Sequence, residues 1–481
     1  MTSELHPLPT AKPEEMGIPT GAISNFLDAL DLTGLCMHGL IIVRKGHIVT
    51  EGYWKPFDKD SFHRMYSCSK SIVSIAIGFM ADEGLISLDD PIVKYFPEKL
   101  PLGLDKIHPY LAETTIRHML MMASPHSNTT YTMHHDVDWV KTFFTAKPSH
   151  KPGTIFRYDT SASHTLGALV GKLTGQDFLD YLRPRLLEHI GFSPDTYCVP
   201  DPMGVPWGGS GVVCTTRDFA KLALTCMQGG RYQGRQLIPE WYIREAVSPQ
   251  ISNFLASKHT DSHQGYGYQF WRLRNNGFSF RGMGAQLALC LPDKDFMLVT
   301  TADTQWQGDQ DATILNALWD KLYPYLSDEA LPDNVSAVKA LTERLDNLSI
   351  PTVEGRFYGP ANVQTYLMDD NKMGISALRL SFQDGGGTLH LTKESGDCCL
   401  RFGYGVNIPQ VFPEYGYDSI ISGAWADDNT LNLWVHIIGD HLGMIRANLS
   451  FCDDAVTLHM EKVAEGFLEN YSGIASGTVQ P

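Results

Sequence analysis

No Cys-x-x-Cys pair occurs anywhere in this chain, and its nine cysteines are scattered and odd in number. That pattern argues against both a zinc site and a disulfide framework and fits reduced thiols, with only Cys398 and Cys399 adjacent. Basic residues are also scarce: 38 lysines and arginines face 54 aspartates and glutamates, a formal net charge of −16. With no basic run to offset that charge, neither nucleic acid nor an anionic membrane is expected as a partner. No uninterrupted apolar run reaches membrane-spanning length. The opening MTSELHPLPTAKPEEMG lacks both the basic region and the apolar core of an export signal, so a cytoplasmic protein is expected. Internal repeats and low-complexity tracts are absent too.

What remains is an ordinary soluble composition, 43% apolar and 19% charged, in a chain of 481 residues. That length exceeds what one core usually supports, so two domains, or three subdomains, are expected. Ile23 to Leu32 has helical spacing, and apolar stretches flanking Arg44-Lys45-Gly46 read as a β-hairpin. An apolar helix follows Ser67 and ends near Gly84. From Ile92 to about Pro194 the signals are short helices, notably 116–122 and 163–173. A helix capped by Thr216 comes next, then strands at 266–271, 286–291 and 296–300 and a helix around 312–322. Beyond Ile350-Pro351 period-two alternation dominates, as in Leu378 to Phe382 and Leu431 to Val435. The expected fold class is α+β: an antiparallel sheet flanked by helices in residues 1–326, with a helical insertion at about 92–195. A helical linker (327–350) and a C-terminal antiparallel, barrel-like β domain (351–481) complete it.

The chemistry starts at Tyr66-Ser67-Cys68-Ser69-Lys70-Ser71. A serine three residues before a lysine puts both side chains on one helix face, one turn apart. The serine hydroxyl is a poor nucleophile until a base takes its proton, and the amide at a helix start can donate to a developing oxyanion. A second match, Ser336-Ala337-Val338-Lys339, lies in a polar stretch and reads as a solvated helix face. The helix after Ser67 is apolar almost all round, where a charged lysine is costly unless paired or shifted in pKa. A third group must handle the proton, and Tyr158, just before a helix opening at Ser161, is the candidate.

Several short motifs in fixed order carry a family resemblance. Ser67-Cys68-Ser69-Lys70-Ser71, Gly84 to Pro91, Thr115 to Leu120, Pro152-Gly153-Thr154 with Tyr158-Asp159-Thr160, and Gly209 to Ala220 together resemble the serine β-lactamase-related family. That family includes class C β-lactamases, family VIII carboxylesterases, D-aminopeptidases and nylon-oligomer hydrolases, and the likeness runs from about Glu15 to Tyr325. The resemblance implies Ser67 as acylated nucleophile, Lys70 as its base or proton shuttle, and Tyr158 as second acid/base. It implies a third motif, K-T-G or H-x-G, whose following amide completes the oxyanion hole. Phe280-Arg281-Gly282 takes that place, which assigns the hole to the Met283 amide; a register two residues later would assign it to Ala285. Thr160, Arg281 and Gly282 are the implied substrate-binding positions. Thr160 stands where the family has asparagine, and the third motif has lost its cation to Phe280. Both departures, with the missing export signal, point away from β-lactams and toward an ester, amide or small peptide bond.

Other polar features read more simply. His134-His135-Asp136-x-Asp138 lacks metalloprotease spacing and reads as a solvated loop, so no metal site is expected. His118 and His164 read as packed, hydrogen-bonded residues, and Cys68 as a small buried filler. Gly208-Gly209-Ser210-Gly211-Val212 fails the G-x-S-x-G elbow at its last position. Tyr266, Tyr268, Phe270 and Trp271 read mostly as core. The expected function is a serine hydrolase acting on a small molecule without metal or organic cofactor. The alternatives are a non-catalytic binding or scaffold protein on the same fold, or a true β-lactamase or penicillin-binding enzyme.

Overall fold

The computed structural model describes residues 6–101, 106–133, 137–256, 259–306, 311–357 and 364–480. They fall into two compact units. The first holds the described residues up to Thr304 and from Asp311 to Ser349; the second holds Gln305, Trp306 and the described residues from Ile350 on.

In the first unit, α1 (Thr20–Asp31) buries Ile23, Phe26, Leu27 and Leu30, one face at helical spacing. Strands β1 (Met37–Arg44) and β2 (His47–Tyr53) form the expected hairpin. Its two turn residues, Lys45 and Gly46, have φ of 49° and 75°, the left-handed pair a tight hairpin needs. A short strand, β3 (Phe62–Arg64), leads through a 3₁₀ turn at Tyr66–Cys68 into α2 (Ser69–Asp82). Every α2 residue from Ser69 to Met80 is buried, as an all-round apolar helix must be. Ile72, Val73, Ile75 and Ile77 join the sheet residues Ile41, Ala288 and Val299 in one core. Each such side chain stabilises the fold by about 1.5–3 kcal/mol relative to exposure.

The segment after α2 contributes α3 (Ile116–Leu120), α4 (Trp139–Thr145) and α5 (Thr160–Thr174). Strand β4 (Val212–Thr215) pairs with β3 and runs straight into α6 (Thr216–Met227). The cap of α6 is Thr215, not the expected Thr216. Thr215 is still extended, at φ −75° and ψ 155°, so its hydroxyl reaches the Asp218 amide at 3.1 Å. Thr216 is already helical and its hydroxyl meets that of Thr301 instead.

Strands β5 (Trp271–Arg272), β6 (Phe278–Gly282), β7 (Gln286–Leu291) and β8 (Phe296–Ala302) complete an antiparallel sheet of order β2-β1-β8-β7-β6-β5. The expected strand at 266–271 shrinks to β5. Gln269 has a left-handed φ of 66°, and its backbone N–H and side-chain amide donate to Leu120 and Met119 carbonyls at 2.9–3.0 Å. Those bonds tie the segment to α3 rather than to a sheet neighbour. The helix α7 (Val335–Asp346) belongs to this unit: Arg344 pairs with Asp28 and Asp31 of α1 at 2.7 Å each.

In the second unit, β9 (Gln364–Met368), β10 (Ile375–Gln383), β11 (Gly386–Lys393), β12 (Cys398–Tyr404), β13 (Ile408–Val411), β14 (Asp418–Asp427), β15 (Thr430–Ile438), β16 (Leu442–Cys452), β17 (Ala455–Ala464) and β18 (Gly473–Val479) form one sheet. A parallel contact of Gly403 and Tyr404 with Ser422 and Gly423 closes nine of these strands into a barrel, with β13 paired to β14 beside the closure. Alternate residues point inward, among them Leu378 and Leu380, Leu431 and Leu433, Leu458 and Met460. Closure removes the sheet edges that an open sheet of this length would expose.

Candidate active site

The sequence Arg64-Met65-Tyr66 bends the chain sharply before the helix. Tyr66 is held at φ +46°, a left-handed conformation unusual for a bulky residue, and costs about 1–3 kcal/mol. Its surroundings hold it there. The Met65 amide donates to the Val212 carbonyl at 2.8 Å, and the Arg64 guanidinium lies over the Tyr66 and Trp207 rings at 4.6 and 4.8 Å. Arg64 also donates to the Ser210 carbonyl at 2.9 Å. Tyr66 and Cys68 are buried, while Ser67 between them keeps partial exposure.

Lys70, one turn on, is 1% exposed. Its Nζ lies 2.8 Å from Ser67 Oγ and donates to the Gly209 carbonyl at 2.6 Å. The same nitrogen sits 5.0 Å from the centre of the Tyr158 ring. Burial pushes the Tyr158 phenol well above its ordinary pKa, and a hydrogen bond with Ser67 pulls it partly back. Ser67, Lys70 and Tyr158, far apart in sequence, therefore meet at one point.

Tyr158 is placed by its neighbours. Arg157 donates its amide to the Met122 carbonyl at 2.7 Å, and Asp159 caps α5 by accepting from the Ser161 amide at 2.9 Å. The buried Asp159 carboxylate also accepts from the Ser124 and Ser161 hydroxyls. The Tyr158 ring stacks on Trp271, centroids 5.5 Å apart and planes at 28°.

The third wall is the end of β6. A Cβ on Gly282 would lie 2.4 Å from the Met65 carbonyl and 3.3 Å from Cys68 Sγ, so only glycine lets the strand approach the nucleophile turn. Beyond it Met283, Gly284 and Ala285 turn back, with φ of 77° and 68° at the last two. The Gln286 side chain braces this turn by donating to the Met283 and Ala302 carbonyls at 2.8 and 2.7 Å. Phe280 packs in the core against Phe219 and Phe270. Arg281 is buried too: it donates to Ser279 and Ser262 hydroxyls and to the Asp261 carbonyl, and lies 5.4 Å over Trp271. Thr160 opens α5, and Gly209 packs against it so closely that a Cβ would be 2.4 Å from its methyl group.

Gly209 is the participant that motif reading missed. Its carbonyl is the second partner of Lys70, and its lack of a side chain lets Thr160 close over it. The signal was present in the run Gly208-Gly209-Ser210-Gly211, but a backbone carbonyl leaves no side-chain signature. Beside Tyr158 opens a cleft of about 700 Å³ whose walls include Ile155, Phe156, Trp271, Phe254 and Leu255, with Asn128 and Asn253 among its polar groups.

The remaining singled-out residues have structural roles. Cys68 is fully buried, its thiol donating to the Gln286 carbonyl at 3.2 Å and pushed up in pKa by burial. His118 accepts from the Thr115 amide in a capping box, and His164 pairs with Asp201 at 2.9 Å in the interior. Residues 134–136 lie outside the described residues; Asp138 of the same run caps α4 and pairs with Lys99. Ser336 and Lys339 are exposed on α7. Among the described residues, no group of three or more histidines, cysteines, aspartates or glutamates gathers as a metal site, and no helix is long and apolar enough to cross a membrane.

The family model described as Beta-lactamase matches residues 23–318. The chain is 23% identical over 336 residues to a 6-aminohexanoate-dimer hydrolase of Paenarthrobacter ureafaciens, a match covering 64% of this chain and 84% of that one. Among solved structures, SurE shares the fold with a TM-score of 0.51 at 15% identity, over 85% of this chain and 96% of its own. EstCE1, a hydrolase with promiscuous acyltransferase activity, does so at 0.50 and 15% identity, over 62% and 97%. A match that covers more than half of the chain, including all three walls of the site, places this protein in the beta-lactamase family.

Proposed function

We propose that this protein, a serine hydrolase of that family, cleaves an ester, amide or small peptide bond through an acyl-enzyme on Ser67. The observation that carries the reading is the 2.8 Å contact of Lys70 Nζ with Ser67 Oγ beside the half-buried Tyr158. In acylation Ser67 Oγ attacks the substrate carbonyl while Lys70, as the neutral amine, takes the serine proton. Tyr158, kept protonated by burial, relays a proton to the leaving oxygen or nitrogen, and the carbonyl–leaving group bond breaks. The Ser67 and Met283 amides are the proposed donors to the oxyanion, the close approach of Gly282 supporting that register over Ala285. The same groups then activate water for deacylation. No step calls for a metal or an organic cofactor.

Thr160 and Gly282 border the reacting atoms. Arg281 supports the site differently from a carboxylate clamp, because its donors are occupied and it stacks on Trp271 behind Tyr158. With Phe280 packed in the core, the third motif itself supplies no cation for a β-lactam carboxylate, which favours a neutral ester or amide. The curated relative's name, an aminohexanoate-dimer hydrolase, adds weight to an amide. A cytoplasmic location is part of the proposal, supported by nine free thiols; secretion from the native host would refute it.

Intact-mass measurement after treatment with a p-nitrophenyl ester or a phosphonate probe tests the mechanism. One adduct on the wild type and none on Ser67→Ala is expected; no adduct, or an equal one on Ser67→Ala, would overturn it.

A further inference from the structure

The second unit has a cavity of its own, unrelated to the Ser67 chemistry. It opens at one end of the barrel and holds about 150 Å³, room for a small molecule or head group. Four aromatic rings in sequence make its wall: Phe382 to Trp425 at 5.8 Å, Trp425 to Phe451 at 5.7 Å, and Phe451 to Tyr366 at 6.0 Å. Their planes are tilted by 35–49°, so the rings curve around a common space instead of stacking shut. Trp425 and Tyr366 are buried at 1% and 4% exposure and form the floor with Leu380, while Phe382 and Phe451 are half-buried at the mouth.

The polar atoms of the floor are turned to other partners. Trp425 Nε1 donates to Tyr404 at 3.1 Å, and the Tyr366 hydroxyl donates to Gln364 at 2.7 Å. What the mouth offers a ligand is therefore the half-buried rings of Phe382 and Phe451, whose faces carry negative charge density.

The rim has the same sign. Asp428 and Asp453 line the mouth with Asn429 and Gln364, and among the described residues the lining includes no lysine or arginine. Strand pairing brings more acid to this end. The turns between β10 and β11, β14 and β15, and β16 and β17 lie at the same end of the barrel as the start of β9, and they carry Asp384, Asp428, Asp453 and Asp454, with Asp427 at the end of β14. Arg356 pairs with Asp428 at 3.0 Å, with both side chains largely exposed. A curved aromatic wall under a carboxylate rim is suited to a cation that sheds water easily.

We propose that the barrel mouth binds a small organic cation of the alkylammonium class, its methylated nitrogen seated between Phe382 and Phe451 above the floor of Trp425 and Tyr366, and its charge facing Asp428 and Asp453. The volume limits the occupant to the size of a single ammonium head group with a short chain. An anionic group on that chain would be repelled by the rim.

Titration calorimetry of the full chain at low salt tests this with choline, its uncharged isostere 3,3-dimethyl-1-butanol, and phosphocholine. Choline is expected to bind at least ten-fold tighter than the isostere, which isolates the charge, and tighter than phosphocholine, which isolates the rim. Phe451→Leu and Phe382→Leu, both at the half-exposed mouth, are each expected to weaken choline at least ten-fold. Asp453→Asn should erase most of the preference for choline over phosphocholine. No choline binding, equal binding of choline and its isostere, or binding indifferent to both leucine variants would overturn the proposal. Because Ser67 acylation is read separately, either proposal can fail without the other.

Discussion

At the residue scale, the site depends on atoms that approach more closely than most side chains allow. Gly282 is the sharpest case, since a methyl group there would lie 2.4 Å from a backbone oxygen that cannot move without displacing Tyr66 and Ser67. Gly282→Ala is therefore expected to destabilise the protein by about 1–3 kcal/mol, the usual range for overpacking, and to remove most activity. A thermal melt with an ester assay checks both, and a variant with wild-type rate and melting temperature would contradict this placement. Tyr158→Phe makes the opposite cut. The ring keeps its stack on Trp271 while the proton is lost, so kcat should fall about 10²–10⁴-fold with little change in melting temperature. A wild-type rate would remove Tyr158 from the chemistry.

At the scale of elements, two junctions set the geometry: the 3₁₀ turn into α2 and the cap of α5. Asp159 does two things at the second junction. It caps α5 and, through Ser124, ties Tyr158 to the segment after α3. Asp159→Ala should cost about 1–2 kcal/mol for the lost cap. It should also lower kcat more than KM, because Tyr158 loses its anchor while the cleft walls remain. Urea unfolding and steady-state kinetics test this, and a stability loss with unchanged kcat would reduce Asp159 to a cap alone.

At the scale of the whole molecule, each unit hides a histidine that burial holds neutral. His63, in the first, accepts from His38 through Nε2 at 2.8 Å while its Nδ1 donates to the Arg64 carbonyl at 3.1 Å. His436, in the barrel, is 3% exposed. Burial lowers both to about 4 from an ordinary 6.5. Between those values the unfolded chain binds more protons than the folded one, so stability rises with pH in that window. The contribution is complete above about pH 6.5 and is lost as pH falls through 4. Going from pH 7.5 to 5, each histidine is expected to withdraw about 2 kcal/mol. The urea midpoint of the full chain should fall accordingly, and His436→Leu should flatten that dependence for the barrel. An acid-insensitive midpoint would refute the assignment.

Across these scales, what was legible from the sequence is what local pattern carries. The all-round apolar helix after Ser67, the hairpin around Lys45-Gly46 and the alternating strands beyond Ile350 are statements about periodicity, and periodicity is local. The S-x-x-K spacing is local too, which is why it recurs at Ser336 on an exposed helix where it has no partner chemistry. Sequence by itself determined the fold class, the family and the proximity of Ser67 and Lys70, because one helical turn fixes the distance between them. Only the tertiary structure decided the rest. It brought Tyr158 and the Gly209 carbonyl to Lys70, seated Gly282 against Met65, turned Phe280 into the core, and engaged Arg281 away from the reacting atoms. It also traded the expected strand at 266–271 for hydrogen bonds to α3 and moved a helix cap by one residue. Each of those outcomes depends on a long-range contact or a backbone atom, and neither leaves a mark in residue spacing.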